Sequence, residues 1–397
     1  MRIVFITSKL NFVTSGASVT EFDLMIRTLI KLGNEVTVVT FFSDQNKIPI
    51  PLSYKMNEEY ITARGLWGIQ KGIFQLLRKY ESRADFFHLD GHLFLYGAGF
   101  YRLLGGCVPV AAYFNRELSG WRESSSDLFA VGRRSMAKRI KETMRWYLER
   151  YLLMPVASRL DIISYSNPVL QNAYEDFGMR RGGEVMADPF DYRALMERYG
   201  VTENSYLLRN KRDGVITLFY SSRMSPGKGF DLLLSAFSLV KNQDAFRLIL
   251  GGDGPERSSI GQKIREMHLE NCISLPGWVS QAELYRKYFM TADIFIQARW
   301  RRELTACVIL DALSFGLPCI LPEGGGLAWT AKDAALCFED GNVADLARKI
   351  EQLGRDSKLR ENLSRRGFAR LHGDEMNYEK NTKHLLGRMA RVLKNGR

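Results

Sequence analysis

The hydrophobic positions of the chain alternate between short, continuously apolar runs and longer segments with helical spacing. The first apolar run, Arg2 to Ser8, predicts a strand that is apolar on both faces, and the segment after it predicts a helix that ends at Leu32. Continuous apolar runs are typical of parallel strands buried on both faces, and Ser18 with Glu21 forms a capping-box pattern at the helix start. The beginning of the chain therefore predicts a β-α-β unit whose second strand spans Glu35 to Phe42.

The alternation continues, lapses once at the polar, basic segment Leu208 to Asp213, and then restarts. Further strands are predicted at Asp85 to Leu89, Val108 to Phe114, Asp161 to Ser166, Val215 to Tyr220, Arg247 to Gly251, Ile273 to Leu275, Ile294 to Gln297 and Cys319 to Pro322. This order predicts an α/β protein with two doubly wound, Rossmann-like domains that face each other across a cleft, with ligand outside the carboxyl ends of the strands. We assign the first domain to 1–195, a linker to 196–213 and the second domain to 214–375, and expect the C-terminal helix 376–397 to pack back onto the first domain.

One stretch of the second domain joins two carboxylates by an almost wholly apolar run. A buried helix is predicted to begin just after Glu303 and to end at Gly316, with Asp311 inside it. The two acids lie roughly 12 Å apart along such a helix, so they cannot share one metal but can hold two ends of an extended ligand. The first amides of the helix are unpaired donors that stabilise an anion. These amides belong to Thr305, Ala306 and Cys307. An apolar helix after an acidic N-cap is also a common structural pattern, so the stretch alone does not decide.

Other loops of the same half follow predicted strands. The loop after Tyr220 carries Arg223 and Lys228, a planar and a point cation suited to a diphosphate, with glycines around Lys228. A turn at Gly252 follows the next strand, and a third glycine-rich turn follows Pro322. A solvated basic loop is the alternative for the first of these, but all three are expected at the same end of one sheet.

Composition narrows the class of protein. At 397 residues, with 46% hydrophobic and 25% charged residues, the chain is predicted to be globular with two or three domains. Five widely spaced cysteines predict a reducing compartment without disulfides. No run has the features of a signal peptide or a membrane span, so we predict a cytoplasmic protein. The net charge of +12 favours anionic partners. Nucleic acid would fit the charge, but no nucleic-acid motif is present, and we predict no such partner.

These motifs together resemble the family 4 retaining glycosyltransferases of GT-B architecture, most specifically from Ile216 to Leu371. The resemblance implies a hexosyltransferase that moves a sugar from a nucleotide diphosphate donor, UDP- or GDP-linked, to a glycan or lipid-linked glycan in cell-envelope polysaccharide synthesis, with retained anomeric configuration. It implies no metal and no cofactor, because the two cations stand in for a divalent ion and no D-x-D motif is present.

The resemblance also implies roles for individual residues. Arg223 and Lys228 would stabilise the leaving diphosphate, Glu303 would orient the donor sugar, and Asp311 would bind the ribose. The further donor-binding residues implied are Gly16 in the first loop, Gly252, the helix-start residues Thr305, Ala306 and Cys307, and the base-facing segment from Val279 to Leu284.

Three positions depart from the family pattern. Asp311 stands where the family usually has Glu, Asn115 stands where a strand often ends in His, and Trp329 lies near the place of an acidic residue. Asn hydrogen-bonds but does not titrate near neutrality. Asn115 and Asp311 keep open the alternative of a non-catalytic nucleotide-binding homologue or partner subunit of another transferase. A sugar-nucleotide epimerase or hydrolase of the same fold is the alternative among enzymes.

The acceptor-side candidates are Asn115, Asp90 and His92. His88, Asp90 and His92 alternate along a predicted strand and share one face, but three ligands without a fourth do not predict a metal site. We interpret them as polar lining for the acceptor.

Two segments read as basic amphipathic helices. In the first, Met136, Ile140, Met144, Tyr147, Leu148 and Tyr151 recur at helical spacing among lysines and arginines. In the second, Leu66, Ile69, Ile73, Leu76, Leu77 and Tyr80 do the same. Such helices bind the surface of an anionic membrane, which would place the protein at the inner face of the membrane. A core-packed helix with a solvated basic face gives the same pattern.

Overall fold

We describe a computed structural model over residues 1–13, 17–62, 65–91, 95–116, 136–209, 214–298 and 307–395. The chain divides into two compact units: Met1–Phe190 with Asp374–Arg397, and Asp191–Gly373. The sequence prediction assigned 196–213 to a linker, whereas the structure includes residues 191–209 in the second unit. There the Tyr206 hydroxyl donates to the carbonyl of Asp293 at 2.8 Å.

The first unit is built on a seven-stranded parallel sheet in the order β3-β2-β1-β4-β5-β6-β7. Its strands are β1 Arg2–Thr7, β2 Glu35–Thr40, β3 Lys55–Glu58, β4 Phe86–Asp90, β5 Val110–Phe114, β6 Ile162–Tyr165 and β7 Glu184–Val185. Its helices before the second unit are α1 Ala17–Lys31, α2 Gly65–Tyr80, α3 Leu95–Leu103, α4 Met136–Leu148, α5 Met154–Ala157 and α6 Pro168–Asp176. A π-helical turn, Glu149–Leu153, joins α4 to α5. The central strands are buried on both faces, as their continuous apolar runs predict.

The second unit repeats the plan with a six-stranded parallel sheet in the order β10-β9-β8-β11-β12-β13. Its strands are β8 Ile216–Ser221, β9 Phe246–Gly251, β10 Ile273–Gly277, β11 Ile294–Ile296, β12 Cys319–Pro322 and β13 Ala335–Phe338. Its helices are α7 Tyr192–Tyr199, α8 Phe230–Ser238, α9 Arg257–Glu266, α10 Gln281–Glu283, α11 Cys307–Ser314, α12 Gly325–Ala331, α13 Val343–Arg355 and α14 Ser357–His372. In both sheets the chain crosses from one side of the first strand to the other. This crossing is the switch point at which doubly wound folds bind ligands.

The last helix, α15 Tyr378–Asn395, belongs to the first unit. Its apolar residues Leu385 and Met389 are buried in the same core cluster as Ile26 and Leu29 of α1. Helix α15 is amphipathic, and burial of its apolar side against α1 accounts for its return to the first unit.

The two basic amphipathic helices have different surroundings. In α2, Ile73, Leu77 and Tyr80 are at most 3% exposed, so its apolar side is part of the core. In α4 and the turn after it, the apolar positions are between 52% and 79% exposed: Met136, Ile140, Met144, Tyr147 and Tyr151. The core-packed alternative therefore holds for α2, whereas α4 presents an apolar face to solvent. No helix within the described ranges is long and apolar enough to cross a bilayer.

Candidate functional site

The loop after β8 carries the two cations that the sequence singles out. Arg223 is exposed, and Lys228 is half-buried between Gly227 and Gly229, whose φ angles of +79° and +78° favour glycine. The Tyr220 hydroxyl donates to the carbonyl of Lys228, and Gly229 is the N-cap of α8. The loop backbone is thus fixed at both ends, and it presents positive charge at the carboxyl end of the second sheet.

The turn after β9 packs directly against this loop. The Met224 amide donates to the carbonyl of Asp253 at 2.9 Å, and the Glu256 amide donates to the carbonyl of Met224 at 3.1 Å. A Cβ on Gly252, which has a φ of +123°, would lie 1.9 Å from the carbonyl oxygen of Ser222. Close approach of two loops therefore explains the glycine at 252, and this contact fixes the position of the cationic loop.

The predicted base-facing segment follows β10. Val279 is half-buried, and its Cγ2 would lie 3.0 Å from a Cβ on Gly251. Ser280 and Glu283 form a capping box that begins α10, and Leu284 begins a π-helical turn that runs to Phe289. The segment therefore lies beside the end of β9, in the same part of the second unit as the cationic loop.

Asp311 lies on α11, whose first described residue is Cys307. The Tyr285 hydroxyl donates to Asp311 Oδ1 at 3.0 Å, and the Gln281 side-chain amide donates to the Tyr285 hydroxyl at 3.0 Å. Burial raises the pKa of Asp311 to about 7, and the hydrogen bond from Tyr285 opposes that rise. The structure therefore joins the predicted ribose contact to the predicted base-facing segment through Tyr285, a residue to which the sequence assigned no role.

Several predicted residues lie outside the described ranges: Gly16, His92, Glu303, Thr305 and Ala306. Their roles stay predictions. Trp329, near the position of a missing acidic residue, is half-buried in α12, and the Arg370 guanidinium lies 5.3 Å from the centre of its ring. Arg370 also donates to the carbonyl of Thr330 at 2.8 Å. These contacts give Trp329 a structural role in the packing of α12.

The carboxyl end of the first sheet is acidic. Burial raises the pKa of Asp90, at the end of β4, to about 7, and the negative charge of Asp188 adds to the rise while Arg116 opposes it. Burial likewise raises the pKa of Asp188 to about 6, although the Tyr113 hydroxyl donates to its Oδ1 at 2.6 Å. Sequence reasoning missed Asp188, although its place just after β7 is the same signal that selected Asp90.

The other acceptor-side candidates differ in their surroundings. Asn115 follows β5 and is 6% exposed. His88 stacks on Phe5 with ring centres 4.2 Å apart, and burial lowers its pKa to about 3. His88 is therefore a neutral core residue rather than part of the polar lining.

The second unit is similar to a known protein family. The sequence profile of the family described as "Glycosyl transferases group 1" matches residues 209–370. This segment includes every donor-side candidate that the structure describes: the cationic loop, the turn at Gly252, the base-facing segment and α11. The match therefore covers all six strands of the second sheet.

Curated relatives match less than half of the chain. N-acetyl-alpha-D-glucosaminyl L-malate synthase of Bacillus anthracis is 24% identical over 178 residues, which are 44% of this chain and 43% of that protein. Alpha-monoglucosyldiacylglycerol synthase of Streptococcus pneumoniae is 26% identical over 176 residues, which are 43% and 39% of the two chains. The lipopolysaccharide core biosynthesis glycosyltransferase LpsD of Rhizobium meliloti is 32% identical over 142 residues, which are 35% and 39%. The chain thus spans about two fifths of the length of these relatives.

Solved structures match along the whole chain. HepE of Anabaena in complex with UDP superposes with a TM-score of 0.70 at 15% identity, covering 98% of this chain and 100% of that chain. Sucrose-phosphate synthase from Thermosynechococcus elongatus gives a TM-score of 0.70 at 16% identity and covers 100% of both chains. These likenesses confirm the predicted fold class, the GT-B architecture with two Rossmann-like sheets.

Proposed function

We propose, because residues 209–370 of this chain match the profile of the glycosyl transferases group 1 family, that the protein transfers a sugar from a nucleotide diphosphate donor to a hydroxyl group. The observation that carries the proposal is the fixed cationic loop. Arg223 and Lys228 follow β8, beside the turn of Gly252 and in the same unit as Asp311. A phosphate-sized anion fits such a loop because backbone and side-chain donors are held in place before it binds.

The chemistry follows from the charge of the leaving group. As the bond between the anomeric carbon and the phosphate oxygen breaks, its electron pair goes to the nucleoside diphosphate, whose negative charge grows. Lys228 and Arg223 stabilise that charge, and this electrostatic effect is the largest that the site offers. The acceptor oxygen bonds to the anomeric carbon, and its proton passes to the departing phosphate. We propose that the configuration is retained and that no divalent ion is required.

Different residues of the site contact the ribose, the base and the sugar of the donor in this proposal. Asp311 accepts hydrogen bonds from the ribose, the segment from Val279 to Leu284 faces the base, and Glu303 orients the sugar as the family resemblance implies. HepE of Anabaena was solved with UDP and also with UDP and glucose, which supports testing a uridine donor first.

The acceptor belongs with the first unit in this proposal. Asp90 and Asn115 lie at or just after the carboxyl ends of their strands and offer hydrogen-bonding groups suited to sugar hydroxyls. The curated relatives include a diacylglycerol glycoside synthase and a lipopolysaccharide core glycosyltransferase. These names support a glycan or lipid-linked acceptor in polysaccharide or glycolipid synthesis.

We propose that helix α4 contacts the membrane on which such an acceptor lies. Its exposed apolar residues, with Met136 at 79% and Met144 at 68% exposed, are accompanied by exposed Lys141. An amphipathic helix of this kind inserts its apolar face at the lipid headgroup level, and its basic residues favour anionic lipids. We therefore place the protein at the inner face of an anionic membrane.

The function is tested by turnover. Nucleotide sugars of uridine, guanosine and adenosine are incubated with a membrane extract, and the anomeric form of the product is read by NMR. Formation of a glycoside with the donor's configuration, without added metal and in the presence of a chelator, supports the proposal. Hydrolysis or epimerisation of the donor without transfer would instead indicate the enzymes considered as alternatives, and nucleotide binding without any reaction would indicate a non-catalytic homologue.

Membrane contact is tested separately with vesicles. Met144→Glu is expected to reduce co-sedimentation with phosphatidylglycerol vesicles about tenfold, since a charge replaces an inserted apolar group. Trp67→Glu is the matched control, because Trp67 is 55% exposed on α2, whose apolar side faces the core. Equal binding of wild type and Met144→Glu, or equal binding to neutral phosphatidylcholine vesicles, would contradict the membrane contact.

A further inference from the structure

Tyr285 connects two parts of the donor site that the sequence treated separately. It lies in the turn after α10, and its hydroxyl both donates to Asp311 Oδ1 and accepts from Gln281, each at 3.0 Å. Asp311 lies on α11, 26 positions further along the chain. A hydrogen bond of this kind fixes the direction of a carboxylate that otherwise rotates about its side-chain bonds.

The backbone around Tyr285 has unusual geometry. Leu284–Phe289 forms a π-helical turn, and the Met290 amide donates to the carbonyl of Tyr285, five residues earlier, at 3.1 Å. Single π turns occur frequently at functional sites, where they change the direction of a side chain relative to an α-helix. In this chain the π turn directs the Tyr285 side chain so that its hydroxyl contacts Asp311.

The ring of Tyr285 is held by its neighbours. It stacks on Phe315 with ring centres 5.4 Å apart and planes at 16°, and the ring of Tyr199 lies edge-on to it at 5.1 Å. The residue is 5% exposed. Because the ring cannot leave this position without breaking these contacts, the hydroxyl is a fixed donor to the carboxylate.

The two carboxylate oxygens of Asp311 differ in their contacts. Oδ1 accepts from Tyr285, and no residue within the described ranges donates a hydrogen bond to Oδ2. Asp311 is half-buried, so part of the residue reaches the surface of the second unit. An aspartate reaches one methylene less far than a glutamate, and a fixed direction matters more for a short side chain.

We propose that Tyr285 is a positioning residue that directs Asp311 toward the hydroxyls of the donor ribose, so that the pair makes the site selective for ribonucleotides over 2′-deoxyribonucleotides. This inference rests on the proposed function, because it requires a nucleoside diphosphate in the second unit. Tyr285 acts through Asp311 and needs no contact with the sugar that is transferred.

Selectivity is measured with UDP and 2′-deoxy-UDP by isothermal titration, with the GDP and ADP pairs as further probes. We expect the wild type to prefer UDP by about 30-fold, the effect of one hydrogen bond to a charged group. Tyr285→Phe keeps the ring but removes the hydroxyl, and it is expected to reduce the preference to about fivefold. Gln281→Ala, at an exposed position, is expected to lower it by about twofold and provides a second variant if Tyr285→Phe does not fold.

Two controls separate positioning from general stability. Tyr288 lies in the same π turn and stacks on Phe219 with ring centres 4.7 Å apart, so Tyr288→Phe removes a hydroxyl without touching Asp311. It is expected to keep the 30-fold preference for the ribonucleotide. In an Asp311→Asn background, Tyr285→Phe is expected to have no further effect on the preference, because residues that act through one another are non-additive.

The outcomes distinguish this inference from the function on which it rests. If the wild type binds none of the nucleoside diphosphates, the proposed function fails and the inference fails with it. If the wild type binds UDP but Tyr285→Phe and Gln281→Ala both retain the wild-type preference, only the inference is overturned. An equal loss in Tyr288→Phe would also overturn it, since the effect would then belong to the turn as a whole.

Discussion

The carboxyl ends of the two parallel sheets differ although their strand orders correspond. At the end of the first sheet, burial raises the pKa of Asp90 and the pKa of Asp188; the charge of Asp188 adds to the rise at Asp90, and Arg116 opposes it. At the end of the second sheet, Arg223 and Lys228 follow the first strand of the unit. One fold therefore provides an acidic end suited to hydroxyl groups and a cationic loop suited to a diphosphate.

The two ends also differ in how tightly their loops pack. A Cβ on Gly252 would lie 1.9 Å from the carbonyl of Ser222, whereas a Cβ on Gly91, just after β4, would meet no described atom within 4 Å. The φ angles of +123° and +99° favour glycine at both positions. Charge that must be in place before a ligand arrives needs a rigid support, and the close loops of the second unit provide it.

The largest expected effect is on stability, when a side chain is added at Gly252, where the turn after β9 contacts the carbonyl of Ser222. Gly252→Ala should lower the free energy of unfolding by about 3 kcal/mol, because it adds overpacking to backbone strain. Gly91→Ala should cost about 1 kcal/mol, from strain alone. The measurement is thermal or urea unfolding, with Gly261→Ala in α9 as a control that leaves the contact intact and has its nearest atom at 3.6 Å. Equal losses for Gly252→Ala and Gly91→Ala would show that the two loops do not differ as described.

The next effect concerns binding. Lys228→Ala should weaken the affinity for UDP or GDP by about 30-fold, since it removes a charge-assisted contact worth roughly 2 kcal/mol. Arg116→Ala, at the end of the first sheet, and Lys241→Ala, exposed in the second unit, should leave that affinity unchanged. Titration calorimetry measures all three. A larger loss in Arg116→Ala than in Lys228→Ala would assign the diphosphate to the first unit.

The buried acids should make stability depend on pH. The pKa of about 7 for Asp90 means that the folded state holds a proton that the unfolded chain releases near pH 4. The free energy of unfolding should therefore fall as pH rises from about 4 to about 7. Asp90→Asn should remove about 1 to 2 kcal/mol of that fall, after allowance for partial exposure. Asp311→Asn should do the same in the second unit. Unfolding midpoints at pH 4.5 and pH 8 test this, and an unchanged pH difference in both variants would contradict the raised pKa values.

The smallest effect separates two tyrosines that each donate to an aspartate. Tyr113→Phe removes the 2.6 Å hydrogen bond to Asp188 and should cost about 1 kcal/mol of stability. It should leave the affinity for UDP unchanged, whereas Tyr285→Phe should change nucleotide selectivity. Paired unfolding and titration measurements decide this, and a change of nucleotide affinity in Tyr113→Phe would contradict the separation of roles.

The positions of the central strands follow from sequence because continuous apolar runs are typical of strands buried on both faces, whereas the strands β3 and β13 were not predicted. The sequence pattern did not distinguish α2 from α4, since both carry apolar residues at helical spacing among basic ones. Only tertiary contacts show that Ile73 is buried while Met144 is exposed.

In the site, too, sequence identified residues from their local position but not contacts between distant segments. Arg223 and Lys228 were identified by their place after a strand. The partnership of Tyr285 and Asp311 was not, because it depends on a π turn and on contacts between distant segments. Gly252 was selected as a donor contact, yet the atom nearest to its missing side chain is the carbonyl of Ser222.

A crystal structure of the protein with bound UDP would test the central claim most directly. We expect the diphosphate within hydrogen-bonding distance of Lys228 and Arg223, and the ribose in contact with Asp311. A diphosphate beside Arg116 at the end of the first sheet, or a ribose without contact to Asp311, would contradict it.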